Sequence, residues 1–420
     1  MTIRYQEPNT GTEDVAAFRV QAREWLAETM PRLSDRDAVQ GAVGADDEDW
    51  DRARELQKLM FAGGFAGICY PVEYGGRGLG LEYQQAFTEE SAGYEMPLLL
   101  NVPTFTICGP TILDMGSEEQ KRTRLAAAIR GDEVLVQFLS EPRGGSDLAG
   151  VTTRAERDGD VWVLNGAKCW STSAYAADYA LCLARTDWHA PKHRGLTMFL
   201  MKVHQPGVTL RRVRQVNGST EFCEEFFDDV ILPAEAVVGE VNGGWAVASR
   251  QLFHERTAVG GGSPYSSGQG RRGRTDGEVD FVGLARSVHR LDDDRVRDLI
   301  GESMVMHAVQ AQLINRISTA IGKEQMPGPA ASITRLFSAE VAWRDSDIGV
   351  EIAGAQAVTD VLGQAGPGQF GQRFLNRQAA SLGGGSTEMS RNIISERLLG
   401  MPREFAADRD VPFNQVKQGR

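Results

Sequence analysis

QFLSEPRGGSDLAG (Gln137–Gly150) is the stretch on which the reading of this chain turns. It continues a short apolar run, Val134–Leu139, long enough for one strand, and breaks into a Pro-Arg-Gly-Gly turn at Pro142. Toward the C-terminus, further short runs follow at Val161–Leu164, Tyr179–Ala184, Gly195–Lys202 and Phe222–Val230. Turn signals such as Arg157-Asp158-Gly159-Asp160 and Asn165-Gly166 separate them, and this spacing predicts an antiparallel sandwich or barrel ending near Pro233. Toward the N-terminus the pattern is helical. Val15, Phe18, Ala22, Trp25 and Leu26 form a stripe in Glu13–Arg32, closed by Pro31. A solvated acidic stretch is expected from Asp35 to Asp51, then a second helix through Leu56, Leu59 and Met60. Helical periodicity returns in Leu81–Ala92 and in Asp114–Gly131, where Ser117 and Gln120 are spaced as a capping box. After the strands come four long helical patterns: Trp245–Val259, Arg295–Ile321, Pro329–Ala353 and Phe370–Ala380. Between the first two, Gly260–Gly283 reads as a long exposed loop carrying Arg271, Arg272 and Arg274. The expected fold class is multi-domain α+β. An N-terminal helical domain spans 1–133, a middle β-barrel or sandwich 134–240, and a C-terminal four-helix bundle 241–420.

Composition narrows the function classes. The 420 residues include 45 Lys and Arg against 57 Asp and Glu, a net charge of −12. Such a surface carries no electrostatic footprint for nucleic acid or an anionic membrane. Apolar runs such as Ala180–Ala184 are far shorter than a bilayer span, and the first residues lack the basic-then-apolar order of a signal peptide. Five scattered cysteines, none in CxxC spacing, read as reduced and mostly buried, which points to a cytosolic protein. No GxGxxG follows an expected strand and no GxxxxGK[ST] occurs, so the Rossmann and P-loop readings fall away. His189 and His193 flank Pro191 in an expected loop and are read as exposed loop residues, with no metal site.

Two turns carry the chemistry. Gly144 and Gly145 let the backbone approach a ligand closely, with Ser140 and Ser146 supplying hydroxyls. About twenty residues on, NGAKCWSTSA (Asn165–Ala174) offers the flat face of Trp170 beside Ser171 and Thr172. Two polar, backbone-rich turns and a tryptophan in one β domain suit a planar heterocycle with hydrogen-bonding edges.

These segments resemble the acyl-CoA dehydrogenase family, together with PVEYGG (Pro71–Gly76), MGSEEQKRTRLAAAIRGDE (Met115–Glu133), FFDDVILPAEAVVGEVNGGW (Phe226–Trp245) and GGGSTEMSRNIISERLLGMPRE (Gly383–Glu404). The motifs follow family order over nearly the whole chain. The resemblance implies FAD held between β domain and C-terminal helices, with Gln137, Leu139 and Ser140 along the flavin and Trp170 and Thr172 at its edge. It places Ser146 where flavin and the CoA arm meet, Ser386 and Glu388 among the cofactor contacts, and Arg256 among the acyl-CoA contacts. The implied reaction is α,β-dehydrogenation of an acyl-CoA thioester, with electrons passed to an electron-transfer flavoprotein. A base must take the α-proton, and burial would raise its pKa toward the working range.

Two departures from the family pattern matter. Many members carry the base as the glutamate of a YEG tripeptide, where this chain reads Gly383-Gly384-Gly385. Others place it in a Glu-Arg pair on the first C-terminal helix, which makes Glu255 the candidate, followed by Arg256. The family also grips a neighbouring subunit's FAD through an RxxFG loop and a QxxGGxG segment. The first is missing here, and the second reads EIAGAQA (Glu351–Ala357). A carboxylate repels a pyrophosphate, and a Cβ blocks close backbone approach. Two assemblies therefore stay open: a heterotetramer with a related subunit, resembling enzymes of sterol side-chain shortening, or a homotetramer using Arg286 or Arg290. A flavin oxidase or monooxygenase on the same fold, or a non-catalytic subunit, are the alternative functions.

Overall fold

A computed structural model describes residues 14–33, 47–259, 263–268, 279–359 and 367–416. The N-terminal helices are α1 (Val15–Thr29), α2 (Asp47–Ala62), α3 (Leu81–Glu90), α4 (Gly109–Met115), α5 (Glu118–Gln120) and α6 (Ala126–Arg130). On α1 the expected stripe is the buried one: Phe18, Ala22 and Leu26 have no exposed surface. Of the expected acidic stretch, residues 35–46 lie outside the described residues, and Asp47, Glu48 and Asp49 form the first turn of α2. Carboxylates there face the positive end of the helix dipole, which suits them better than a loop. The capping box at α5 forms in both directions between Ser117 and Gln120. The stretch Leu98–Met115 has a mean hydropathy of 1.3 over 18 residues, enough by length and composition to match a membrane span, but 61% of it is buried inside the protein. It is packed against the first C-terminal helix and the strand that opens the β domain.

That strand is β1 (Leu135–Phe138), followed by β2 (Arg154–Asp158), β3 (Val161–Thr172), β4 (Tyr179–Arg185), β5 (Leu196–Lys202), β6 (Val208–Val213), β7 (Phe222–Pro233) and β8 (Val237–Val238). They form one sheet in the order β6-β7-β3-β2-β4-β5-β8, with β1 added beside β4. The sheet is mixed where a wholly antiparallel one is expected: β1 lies parallel to β4, and β2 touches β4 in parallel at Arg154 and Arg185. No hairpin joins β1 to β4, so nothing forces the antiparallel direction on them. β4 and β5 are buried on both faces, which explains their unbroken apolar runs.

The C-terminal helices are α7 (Gly244–Val259), α8 (Phe281–Ser287), α9 (Asp294–Gly322), α10 (Ala331–Ala353), α11 (Gln369–Asn376) and α12 (Thr387–Ile393). α7 starts hard against β5: a Cβ on Gly244 would come within 2.6–2.7 Å of the Thr197 backbone. The expected long exposed loop is corrected at its described part. Tyr265 packs on Tyr70 with ring centroids 4.5 Å apart, and buried Ser267 accepts no solvent role, its backbone N–H donating to Asn101 at 2.6 Å. Arg271, Arg272 and Arg274 lie outside the described residues.

The last described residues return to the β domain. Phe413 is buried, its N–H donates to the Ala190 carbonyl, and Asn414 N–H donates to that of Trp188. The Phe413 ring lies 3.5 Å from the guanidinium carbon of Arg185, a residue with no exposed surface. That guanidinium donates to the carbonyls of Val151, Ala149 and Lys192. Neither loop histidine is idle: exposed His189 bonds Asn414 at 3.1 Å, and half-buried His193 packs edge-on to Trp245.

Candidate active site

The two polar turns meet in the fold. Cys169 N–H donates to the Ser140 carbonyl at 3.0 Å, and Lys168 Nζ donates to the Leu139 carbonyl at 3.0 Å. Glu141, which heads the turn, is buried. It accepts from Lys168 at 3.0 Å, from Thr152 N–H and Oγ1, and from Thr153 N–H. Burial alone would push this carboxyl up, but the lysine charge and these donors outweigh it and hold it at about 2. Neither Lys168 nor Glu141 was singled out from sequence for this role. Their pairing spans 27 residues and leaves no local pattern.

Trp170 occupies a β-bulge. Its neighbours Cys169 and Ser171 pair with Glu224 and Cys223, leaving Trp170 as the extra residue. Its φ is +63°, a region a tryptophan rarely adopts, and its side chain is 60% exposed with one edge on Phe222. A bulge re-aims a side chain, and strain of this kind collects at functional sites. Ser140 and Thr172 are half-buried, Leu139 is buried, and Ser146 is exposed in the turn. Asp147 beside it binds Lys192 Nζ at 3.1 Å, and the same ammonium reaches Asp408 at 3.3 Å.

Segment 137–140 joins Cys169, the neighbour of this tryptophan, to the candidate base. Gln137 Nε2 donates to Glu255 Oε2 at 3.3 Å, and Gln137 Oε1 accepts from Gln251 Nε2 at 3.0 Å. Three residues of extended chain separate the two contacts, a span of roughly 10 Å. α7 is fixed one residue before Glu255: Asp114 of α4 accepts from both His254, at 2.7 Å, and Arg250. Burial pushes the Glu255 carboxyl up. Gln137 and the charges of Arg256 and Arg335 oppose that shift without cancelling it. Arg256 is itself half-buried, lowered by burial and supported by Glu255.

Ser386 caps α12, accepting from Met389 N–H at 3.2 Å, and exposed Glu388 accepts from Thr387 Oγ1. The structure thus gives both a local role at the helix start. The triple-glycine turn just before them is held by Arg335, which donates to the Gly383 carbonyl. Arg335 is a residue the sequence reading missed. On Glu351–Ala357, Glu351 accepts from Arg295 at 2.9 Å, while Arg290 donates to the carbonyls of Glu351 and Ile352 at 2.7 and 3.0 Å. No group of three or more His, Cys, Asp or Glu able to hold a metal occurs among the described residues.

Three acyl-CoA dehydrogenase domain families match in order: the N-terminal domain over residues 12–132, the middle domain over 137–230 and the C-terminal domain over 242–399. The chain belongs to the acyl-CoA dehydrogenase family. It is therefore an oxidoreductase by kinship, of a family whose members depend on FAD. The acyl-CoA dehydrogenase IpdE1 of Mycobacterium tuberculosis is 33% identical over 93% of this chain and 99% of its own. The human mitochondrial short-chain specific acyl-CoA dehydrogenase is 32% identical over 57% of this chain and 58% of its own. Among solved structures, the Tcur3481-Tcur3483 steroid ACAD superposes with a TM-score of 0.73 at 28% identity, over 93% of this chain and 98% of that one. A chain of the ChsE4-ChsE5 complex from Mycobacterium tuberculosis gives 0.70 at 26%, over 96% and 100%. The helical, β and helical parts of the fold agree with this kinship.

Proposed function

We propose that this chain is a catalytic subunit that dehydrogenates an acyl-CoA thioester across its α and β carbons, with Glu255 as the base. The observation that carries the reading is the contact of Gln137 with Glu255, which sets a carboxyl whose pKa burial raises at one end of the segment whose other end bonds Cys169, the neighbour of Trp170. A flavin fits the residues present. The exposed indole of Trp170 offers a stacking face, and Gln137, Ser140 and Thr172 offer donors and acceptors for a heterocycle edge. When bound, FAD supplies the two-electron acceptor, and its electrons pass on to an electron-transfer flavoprotein. The chain's own task is proton handling. Glu255 takes the α-proton at a carboxylate oxygen, Gln137 holds that oxygen in place, and the raised pKa brings the base nearer to its task. Arg256 and the exposed hydroxyl of Ser146 are assigned to the acyl-CoA.

The assembly we propose is a heterotetramer with a related subunit. Its support is that Glu351 and the carbonyls beside it are already occupied by Arg295 and Arg290 of the same chain, where the family would receive a neighbour's dinucleotide. Of the two arginines that a homotetramer would use for that contact, Arg290 is committed to these carbonyls, while Arg286 is exposed. An exposed apolar row on α9, Met304, Val305 and Val309, offers a surface for a further chain. The likeness to the steroid ACAD structures supports a bulky acyl group as substrate.

The test is Glu255→Gln. Turnover of acyl-CoA is expected to fall by about 10³-fold while FAD content and acyl-CoA affinity stay near native. Turnover within tenfold of native would remove Glu255 from the mechanism.

A further inference from the structure

The turn that carries Ser146 is anchored at both ends, and the second anchor is completed by the C-terminal tail. At the head of the turn, buried Glu141 is tied to Lys168, Thr152 and Thr153, and Gly144 N–H donates back to the Glu141 carbonyl at 2.9 Å. At the far end, Asp147 accepts from Lys192 Nζ with both oxygens, at 3.1 and 3.3 Å. The carbonyls of Ala149 and Val151 accept from the Arg185 guanidinium at 2.6 and 3.1 Å. Exposed Ser146 lies between the two anchors. Both cations of the far anchor are held in turn by the tail. Lys192 Nζ also reaches Asp408 at 3.3 Å, so one ammonium bridges a carboxylate of the turn and one of the tail. Arg185 is fully buried on neutral carbonyls, a geometry that holds only while water is kept from competing for its N–H groups. The cover is Phe413, whose ring lies 3.5 Å from the guanidinium carbon.

Resting on the assignment of Ser146 to the acyl-CoA, we propose that Asp408 and Phe413 of the C-terminal tail are positioning residues for coenzyme A: through Lys192 and Arg185 they fix the turn on which Ser146 meets the CoA arm. The two routes share one loop. Arg185 donates to the Lys192 carbonyl at 3.2 Å, and the tail lies along residues 188–191, with Phe413 N–H on the Ala190 carbonyl, Asn414 N–H on that of Trp188, and Pro412 bridged to Pro191. Lys192 already bears two carboxylates, so it acts as a brace and not as an anion site of its own. With the tail seated, the turn is ordered before coenzyme A arrives. With the tail released, its far end loses the brace, and binding must order it. Activity at Glu255 is not part of this role, since none of these contacts touches α7 beyond His193 packing edge-on to Trp245 near its start.

The experiment measures the dissociation constant of coenzyme A itself, by calorimetry on the purified, full-length, FAD-loaded protein, so that neither the acyl group nor turnover enters. Phe413→Ala and Asp408→Asn are each expected to raise it about fivefold, while Asp408→Glu, which keeps the charge, stays within about twofold of native. Ser146→Ala tests the serine assignment separately. It should weaken coenzyme A binding by itself, and weaken it less when combined with Phe413→Ala, because groups acting through one turn are not additive. Native affinity in folded Phe413→Ala and Asp408→Asn, or full additivity with Ser146→Ala, would overturn the proposal while leaving Ser146 a CoA contact. Native affinity in Ser146→Ala alone would instead remove Ser146 from the acyl-CoA site, and the proposal with it. Should Phe413→Ala fail to fold, Asp408→Asn decides, since Asp408 is half-buried at the surface and the exchange for Asn removes its charge with almost no change of volume.

Discussion

Glu225 shows how much one side chain can set the pH response of the β domain. It has no exposed surface, one carboxyl oxygen accepts from Ser171 Oγ at 2.9 Å, and the other has no partner. Burial raises its pKa to about 8, against the opposing pull of Ser171 and Lys168. In the unfolded chain the same group titrates near 4.5, so the folded state holds the extra proton between these values. Stability is therefore greatest below pH 4.5 on this account and declines as pH rises through about 8, by up to roughly 1.4 kcal/mol per unit. Denaturant melts of Glu225→Gln at pH 5 and pH 8.5 should lack this decline, while the native protein shows it. Glu141 has the opposite sign: its depressed pKa lends stability above the ordinary carboxylate range, lost as pH falls toward about 2. Neither behaviour is legible in the sequence, since a strand glutamate gives no local sign of which face it takes. Glu255 differs. A family motif picks it out as the proposed base, but its hydrogen-bond partner Gln137 lies 118 positions away.

At the scale of elements, what the sequence displays is apolar periodicity, and elements without it stay hidden. β1, β3, β4, β5 and β7 were all found because they bury apolar runs, although β3 was cut short at Leu164. Its second half, NGAKCWST, is polar and is satisfied inside the fold through Lys168 and Ser171. β2 and β6 were missed because most of their residues face outward, Arg154, Glu156 and Arg211 among them. The C-terminal tail was missed for a related reason: it is short, charged and non-helical, yet it covers Arg185 with Phe413 and ties Asp408 to Lys192. Phe413→Ala should strip that cover and lower stability by roughly 3 kcal/mol in denaturant melts. Limited proteolysis should then cut between residues 400 and 416 well before the native tail is touched. Equal cleavage rates in the two proteins would mean that the tail is not held by this contact.

For the whole molecule, the question is how many chains complete one site. The residues proposed for flavin and base lie on one chain, whereas the Glu351 carboxylate and the carbonyls of Glu351 and Ile352 are taken up by Arg295 and Arg290 of that same chain. Co-expression with a related subunit should yield one FAD for each pair of chains, read from the flavin absorbance and the protein mass. One FAD per chain in the protein purified alone would establish a self-sufficient homo-oligomer instead. The returning tail also has a consequence for how the molecule assembles. Asn414 bonds His189 across 225 positions, so the polypeptide closes a ring through the β domain, with the C-terminal helices strung along it. The entropy of closing so large a ring grows only slowly with its length, by about 0.6 kcal/mol per doubling, but the two ends meet only after the helices between them have compacted. The ring should be the last feature to form in folding and the first to open, a clasp that can part while the sheet and the helices remain intact.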